Sequence, residues 1–170
     1  MREVIYSVAA SLDGYIADPG GGYDWIPEEP EVDWDAFMAR FDAALMGRAT
    51  WEVMEDHLPD MPVWVFSTRL GGIDDERVTL VGDDAEATVR RLREEEGKAI
   101  WLVGGGILFR SLLDAGLVDK VEVAVVPVLL GDGIPLLPTR DARTRLELED
   151  THAYPGGIVV LRYAVAEGKG

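Results

Sequence analysis

The chain of 170 residues contains no cysteine. That removes disulfides, thiol catalysis and cysteine-ligated zinc, and is compatible with the cytoplasm. Histidine is nearly absent too: His57 and His152 are the only two, and no H-E-x-x-H occurs, which argues against a zinc hydrolase and against any metal site. No stretch approaches the roughly 18 apolar residues of a membrane span. The opening "MREVIYSVAA" enters a strand-like pattern at once, without the basic-then-apolar order of a signal peptide. Basic residues are scarce, 16 Lys and Arg against 32 Asp and Glu, for a formal net charge of −16. Such a surface repels nucleic-acid phosphates and anionic membranes, so neither is expected as a partner. An anionic ligand would have to be met by arginines set close to it. The sequence also lacks G-x-x-x-x-G-K-[ST], which excludes a phosphate-loop NTPase, and G-x-S-x-G, which weakens a serine hydrolase reading.

What is present fits one domain over residues 1–170, with 48% hydrophobic and 28% charged residues. Apolar alternation and β-branched content predict strands over 4–9, 43–46, 63–67, 78–81, 99–103, 120–126, 146–153 and 158–165. Helical spacing predicts helices over 33–41, 50–54, 85–95 and 106–115. In the third, Ala85, Val89 and Leu92 form one apolar stripe, Asp83 or Asp84 can cap the start, and Gly97 fits the position past the end. Strands alternate with helices as far as Ala115 and the tail is strand-only. This is the pattern of an α/β fold with a mostly parallel central sheet, helices on both faces and antiparallel C-terminal strands. The longest irregular stretch, 10–32, carries "DPGGGYDWIPEEPE" and is expected to be functional or mobile.

Residues 101–109 read "WLVGGGILF", a strand, three glycines and a helix start. Glycine costs about 0.5–1 kcal/mol in a regular element relative to alanine, so something must offset three of them. A tight turn, close backbone packing or a ligand on the peptide plane would do so. The stretch fails G-x-G-x-x-G because Phe109 stands at the third glycine's place. Bare amides at a helix start nevertheless suit a phosphate or a polarised ring substituent. Three further stretches follow strands: "SLDGYIA" (11–17), "LMGRATWE" (45–52) and "VWVFSTRL" (63–70). In open α/β sheets ligands bind beyond the carboxyl ends of such strands.

The set S-L-D-G-Y-I-A, M-G-R-A-T-W, V-F-S-T-R and V-G-G-G-I-L-F, in this order and at these spacings, resembles the dihydrofolate reductase superfamily. Within it the chain is most similar to the reductase domain of the riboflavin-biosynthesis deaminase–reductase and its stand-alone relatives; "LLDAGLVDKVEVAVVPVLLGDGIPLL" extends the likeness over nearly the whole chain. The resemblance implies the three-layer α-β-α reductase fold and NADPH as cofactor. It implies that Gly47, Arg48 and Thr50 lie at the cofactor phosphates, and that Ser67, Thr68 and Arg69 lie at the adenosine 2′-phosphate. Gly104, Gly105 and Gly106 would pack against the nicotinamide and pyrophosphate side, with Leu108 and Phe109 beginning the next helix; side chains at 104–106 would then fill space the cofactor needs. Ala9, Ile16 and the Asp13–Tyr15 turn would match the first strand and the loop over the nicotinamide. Trp51 and Trp101 are read as core, and the two histidines as surface or structural.

In dihydrofolate reductases an acidic residue on the helix after the long loop grips the amidine-like edge of the pterin. Asp33 takes that place if a gap is allowed, Glu31 competes without one, and Asp35 lies on the same helix. Asp33 could equally be the helix cap, and Asp13 could act on the substrate or only stabilise its Asp-Gly turn. The zinc deaminase half of the riboflavin enzyme is excluded, since its H-x-E and P-C-x-x-C are missing. The expected activity is NADPH-dependent reduction of a small heterocycle, pterin-like or aminopyrimidine-like. The alternative is a cofactor-binding or interaction module of this fold without turnover. The apolar "VEVAVVPVLL" in the tail from Lys120 onward is too apolar for a free edge, and the related domains are dimers, so a homodimer through this tail is expected.

Overall fold

The computed structural model describes residues 1–166. Its elements are β1 (Val4–Ser11), β2 (Tyr15–Ala17), α1 (Trp34–Met38), β3 (Phe41–Gly47), α2 (Arg48–Met54), β4 (Val63–Phe66), β5 (Val78–Val81), α3 (Ala85–Glu94), β6 (Ala99–Gly104), α4 (Gly106–Asp114), β7 (Lys120–Val126), β8 (Ile134–Pro135), β9 (Leu146–Ala153) and β10 (Val159–Val165). Eight strands form one sheet in the order β5-β4-β3-β6-β1-β7-β10-β9, and β2 pairs with β8 in a small second sheet. Pairing is parallel from β5 to β7; β10 is antiparallel to both β7 and β9. No helix among the described residues is long and apolar enough to cross a membrane.

Two apolar layers sandwich the sheet because strand side chains alternate faces. On one face Val4 and Tyr6 of β1, Leu45 of β3 and Leu102 of β6 pack with Val89 and Leu92 of α3 and Leu112 of α4. On the other, Ile5, Ala44, Met46 and Val103 pack with Trp51 of α2 and with Phe37 and Met38 of α1. The cleft described below opens on this second face. Burial pushes the Tyr6 phenol well above its ordinary pKa; its hydroxyl donates to the Leu136 carbonyl at 3.3 Å, and its ring stacks on Phe109 at 3.8 Å.

Several sequence expectations shift. The helix expected over 33–41 is only Trp34–Met38, because Phe41 is buried and already belongs to β3. α2 begins earlier than expected, directly after Gly47, and β1 runs on to Ser11. Within the irregular 10–32 stretch, β2 binds the chain to Ile134–Pro135. The strand part of the apolar 121–130 run is covered within the chain, since β7 is an inner strand paired by β1 and β10; Leu129 beyond it is exposed. The edge of the tail is β9, whose eight residues are all exposed.

Candidate functional site

The ends of β1, β3, β4 and β6 border a cleft of about 2070 Å³. At one end β3 and β6 run side by side and each passes straight into a helix. Gly47 and Gly105 sit at these two junctions, so close that a Cβ on Gly105 would come within 3.2 Å of the Gly47 nitrogen and 3.3 Å of its Cα. Gly105 also has φ +102°, which side-chain-bearing residues rarely adopt. A Cβ at Gly104 would meet Thr50 Oγ1 at 3.0 Å, and one at Gly106 would meet Pro138 Cδ at 3.0 Å. Close packing by the protein's own atoms is therefore one reason for the glycines at 104–106. No side chain caps the start of α4, so its first amides stand open at the glycine junction.

Next to this junction Ser67, Thr68 and Arg69 follow β4 on the cleft wall. Ser67 Oγ accepts from the Arg69 and Leu70 amides at 3.1 and 3.3 Å, which folds the loop back on itself. Arg69 is exposed and forms no salt bridge among the described residues. Arg48 donates to Glu52 one helical turn on, at 2.7 Å, so its charge is shared. Asp83, beyond β5, faces the same loop.

The other end is floored by side chains on β1, β7 and β10. The strand registers place Ser7, Glu122, Arg162 and Asp150 in one row across β1, β7, β10 and β9. Glu122 is 4% exposed, yet it lines the cleft. Both of its oxygens accept from Arg40, at 2.9 and 2.5 Å, and Arg162 Nε lies 4.0 Å away. Arg162 donates in turn to Asp150 at 2.5 Å. The Arg40 guanidinium also lies over Phe37 and Phe41, 5.7 and 5.0 Å from the ring centroids. Phe37 meets Trp101 edge-on at 5.2 Å, and the Trp101 indole donates to the Ser7 carbonyl at 3.0 Å.

The structure brings most of the sequence-named residues to this cleft. Ala9, Ile16, Gly47, Arg48, Thr50, Ser67, Thr68, Arg69, Gly104, Gly105, Gly106 and Leu108 all line it, as does Asp33. Phe109 does not; it is 3% exposed and packs into the core against Tyr6, because the turn of α4 carries it to the opposite face. Asp33 caps α1, accepting from the Ala36 amide at 2.9 Å. Glu31 and Asp35 are exposed and outside the lining. Asp13 is also outside it. Its carboxylate accepts from the Ser11 hydroxyl and from the Gly131 and Leu130 amides, at 2.6, 2.7 and 3.1 Å. The Ser11 hydroxyl above all, and then these amides, hold the Asp13 carboxyl below the usual carboxylate range. It latches the β1–β2 turn to the loop after β7.

Sequence reasoning missed Arg40, Glu122 and Arg162. A signal existed: Glu122 is the one charge inside "VEVAVV", and a carboxylate amid an apolar strand demands a partner. His57 and Trp101, read as surface and core, both reach the cleft lining as well.

With this geometry in view, residues 2–160 match the model of the RibD C-terminal domain. The chain belongs to that family. It is 33% identical over 173 residues to the uncharacterized protein YwjB of Bacillus subtilis, covering 97% of this chain and 99% of that one. A putative riboflavin biosynthesis protein from Shewanella sp. PV-4 superposes with a TM-score of 0.84 at 26% identity, covering 98% of this chain and all of the other. Dihydrofolate reductase from Enterococcus faecalis, solved with NADP(H), superposes with a TM-score of 0.69 at 19% identity, covering 97% of each chain, and shows the shared fold. The family is of reductase type, as the sequence resemblance implied.

Proposed function

We propose that this chain is an NADPH-dependent reductase of a small heterocycle, pterin-like or aminopyrimidine-like, working as one domain over residues 1–170. The observation that carries the reading is the continuity of the cleft. A glycine junction with open helix amides at one end runs without interruption to a buried, charged floor at the other. The residues present fit the cofactor. The α4 amides and Thr50 suit a diphosphate, aided by Arg48, and Ser67, Thr68 and Arg69 suit a 2′-phosphate. NADPH, when bound, supplies the hydride; Ala9 and Ile16 flank the cleft where the reacting ring would lie and help to exclude water. A homodimer through the tail, now through edge strand β9, and a cytoplasmic location belong to the same reading.

A second reading, binding without turnover, is favoured by one observation: Asp13 and Asp33 both spend their carboxylates on backbone amides. The experiment is paired. Fluorescence titration should give NADPH binding well above NADH binding, and NADPH oxidation should appear with at least one member of a panel of pterins and aminopyrimidines. Tight NADPH binding without oxidation across the panel supports the second reading; equal affinity for the two nucleotides sinks the 2′-phosphate assignment. Asp33→Asn, which keeps the cap, tests the carboxylate itself: kcat/KM should fall by about 100-fold if Asp33 serves the substrate.

A further inference from the structure

The floor of the substrate end holds a carboxylate whose place is already taken. Glu122 is the only acidic side chain among the described residues that is buried. Arg40 meets it with two parallel N–H groups, one to each oxygen. An amidine-edged ring, such as a 2-aminopyrimidine protonated on its ring nitrogen, would offer a carboxylate the same two parallel N–H groups. The two therefore compete for one seat. Resting on the reductase reading above, we propose that Arg40 is the specificity-determining residue of this cleft. It occupies the Glu122 fork, makes the floor a surface of N–H donors, and so selects rings that present carbonyl oxygens over rings with an amidine edge.

Three features make Arg40 a fixed part of the floor. Its guanidinium is held over Phe37 and Phe41. Its partner is 5% exposed at the side chain, so parting the pair would leave a buried charge to desolvation. Arg162, on the neighbouring strand, is itself tied to Asp150, which leaves it a weak substitute at 4.0 Å. A guanidinium carries five N–H donors and no acceptor, and Arg40 spends two of them on Glu122. The rest offer hydrogen bonds only to acceptors. Refusal of the wrong ring thus comes from an occupied acceptor, a repulsive element rather than a missing attraction.

The test uses the full chain, with and without saturating NADPH, and two probes: uracil, which presents carbonyl edges, and 2,4-diaminopyrimidine, which presents an amidine edge. Ligand-observed NMR reads both affinities. Wild type should prefer uracil. Arg40→Met should invert the order, tightening 2,4-diaminopyrimidine by about tenfold or more, the scale of a charge-assisted pair. Arg40→Met with Glu122→Gln should lose that gain, because the freed carboxylate is its source. Should Arg40→Met fail to fold, Arg40→Gln leaves a neutral amide that can satisfy only one carboxylate oxygen and should still tighten the diaminopyrimidine. Wild type that binds both probes equally, or an unchanged order in the variants, overturns the proposal. NADPH affinity is read separately by fluorescence, so failure of the reductase reading is seen independently of the probe order in cofactor-free protein.

Discussion

The two ends of the cleft are built from different material. The glycine end is a backbone surface: two strand-to-helix junctions in contact, with open amides and no side chain between them. The far end is a side-chain surface, a charged row carried by inner strands and backed by an aromatic wall. A backbone surface tolerates almost no substitution at its contact points but reads only what every nucleotide shares. A side-chain surface can be rewritten one residue at a time. Under the proposed function, this division would let the backbone end hold the cofactor and the side-chain end set the substrate.

The sharpest way to break the comparison is Gly105→Ala. The left-handed backbone costs about 2 kcal/mol with a Cβ, and Gly47 must move as well. A shift of this kind should lower NADPH affinity by about 100-fold, while the uracil affinity of the far end stays within about twofold. Thermal melting and fluorescence titration would show it; equal loss at both ends would mean that they are not separate surfaces. Arg69→Gln has a middling effect. It should weaken NADPH by about tenfold and leave NADH unchanged, the value of one charge-assisted contact. Arg48→Gln should do less, because Arg48 already spends its charge on Glu52; the reverse ranking would move the 2′-phosphate to the start of α2. The smallest effect concerns the Asp13 latch. Its folded pKa lies below the unfolded value, so the stabilisation it gives is complete above the unfolded pKa and lost as pH falls through the folded one. The Leu130 and Gly131 amide resonances should titrate together in that acid range and be insensitive to it in Asp13→Asn. Resonances that do not move together in the wild type would break the latch.

The backbone end was legible in the sequence because its signals are local. Glycines and small polar residues directly after strands name themselves, and the parallel architecture follows from the alternation of strand and helix. Which atoms pack against the glycines was not legible, since Gly47, Pro135 and Pro138, which meet Gly104–Gly106 along with Thr50, come from distant stretches. The side-chain end was hidden for the same cause. Arg40 and Glu122 stand 82 positions apart, one in the turn before β3 and the other on β7, and only the folded chain brings them together. The inner place of β7 was not legible, because apolar content cannot distinguish a strand covered by its own chain from one covered by a second molecule. Asp33 and Asp13 illustrate a third difficulty: a carboxylate before a helix or in a turn looks the same whether it serves a ligand or an amide.

The central place of β1 also bears on how the protein is made. Its two neighbours, β6 and β7, are far downstream, with Val4 paired to Ile100 and Ile5 to Lys120. At a synthesis rate of ~5–20 residues per second, this apolar strand leaves the ribosome roughly 5–20 s before either partner exists. β3, β4 and β5 can meet one another much sooner, being close in sequence. The newborn chain thus carries "VIYSVAAS" unpaired until β6 and β7 have been made, a window in which a chaperone, or another nascent copy, can reach the strand that later lies deep in the sheet.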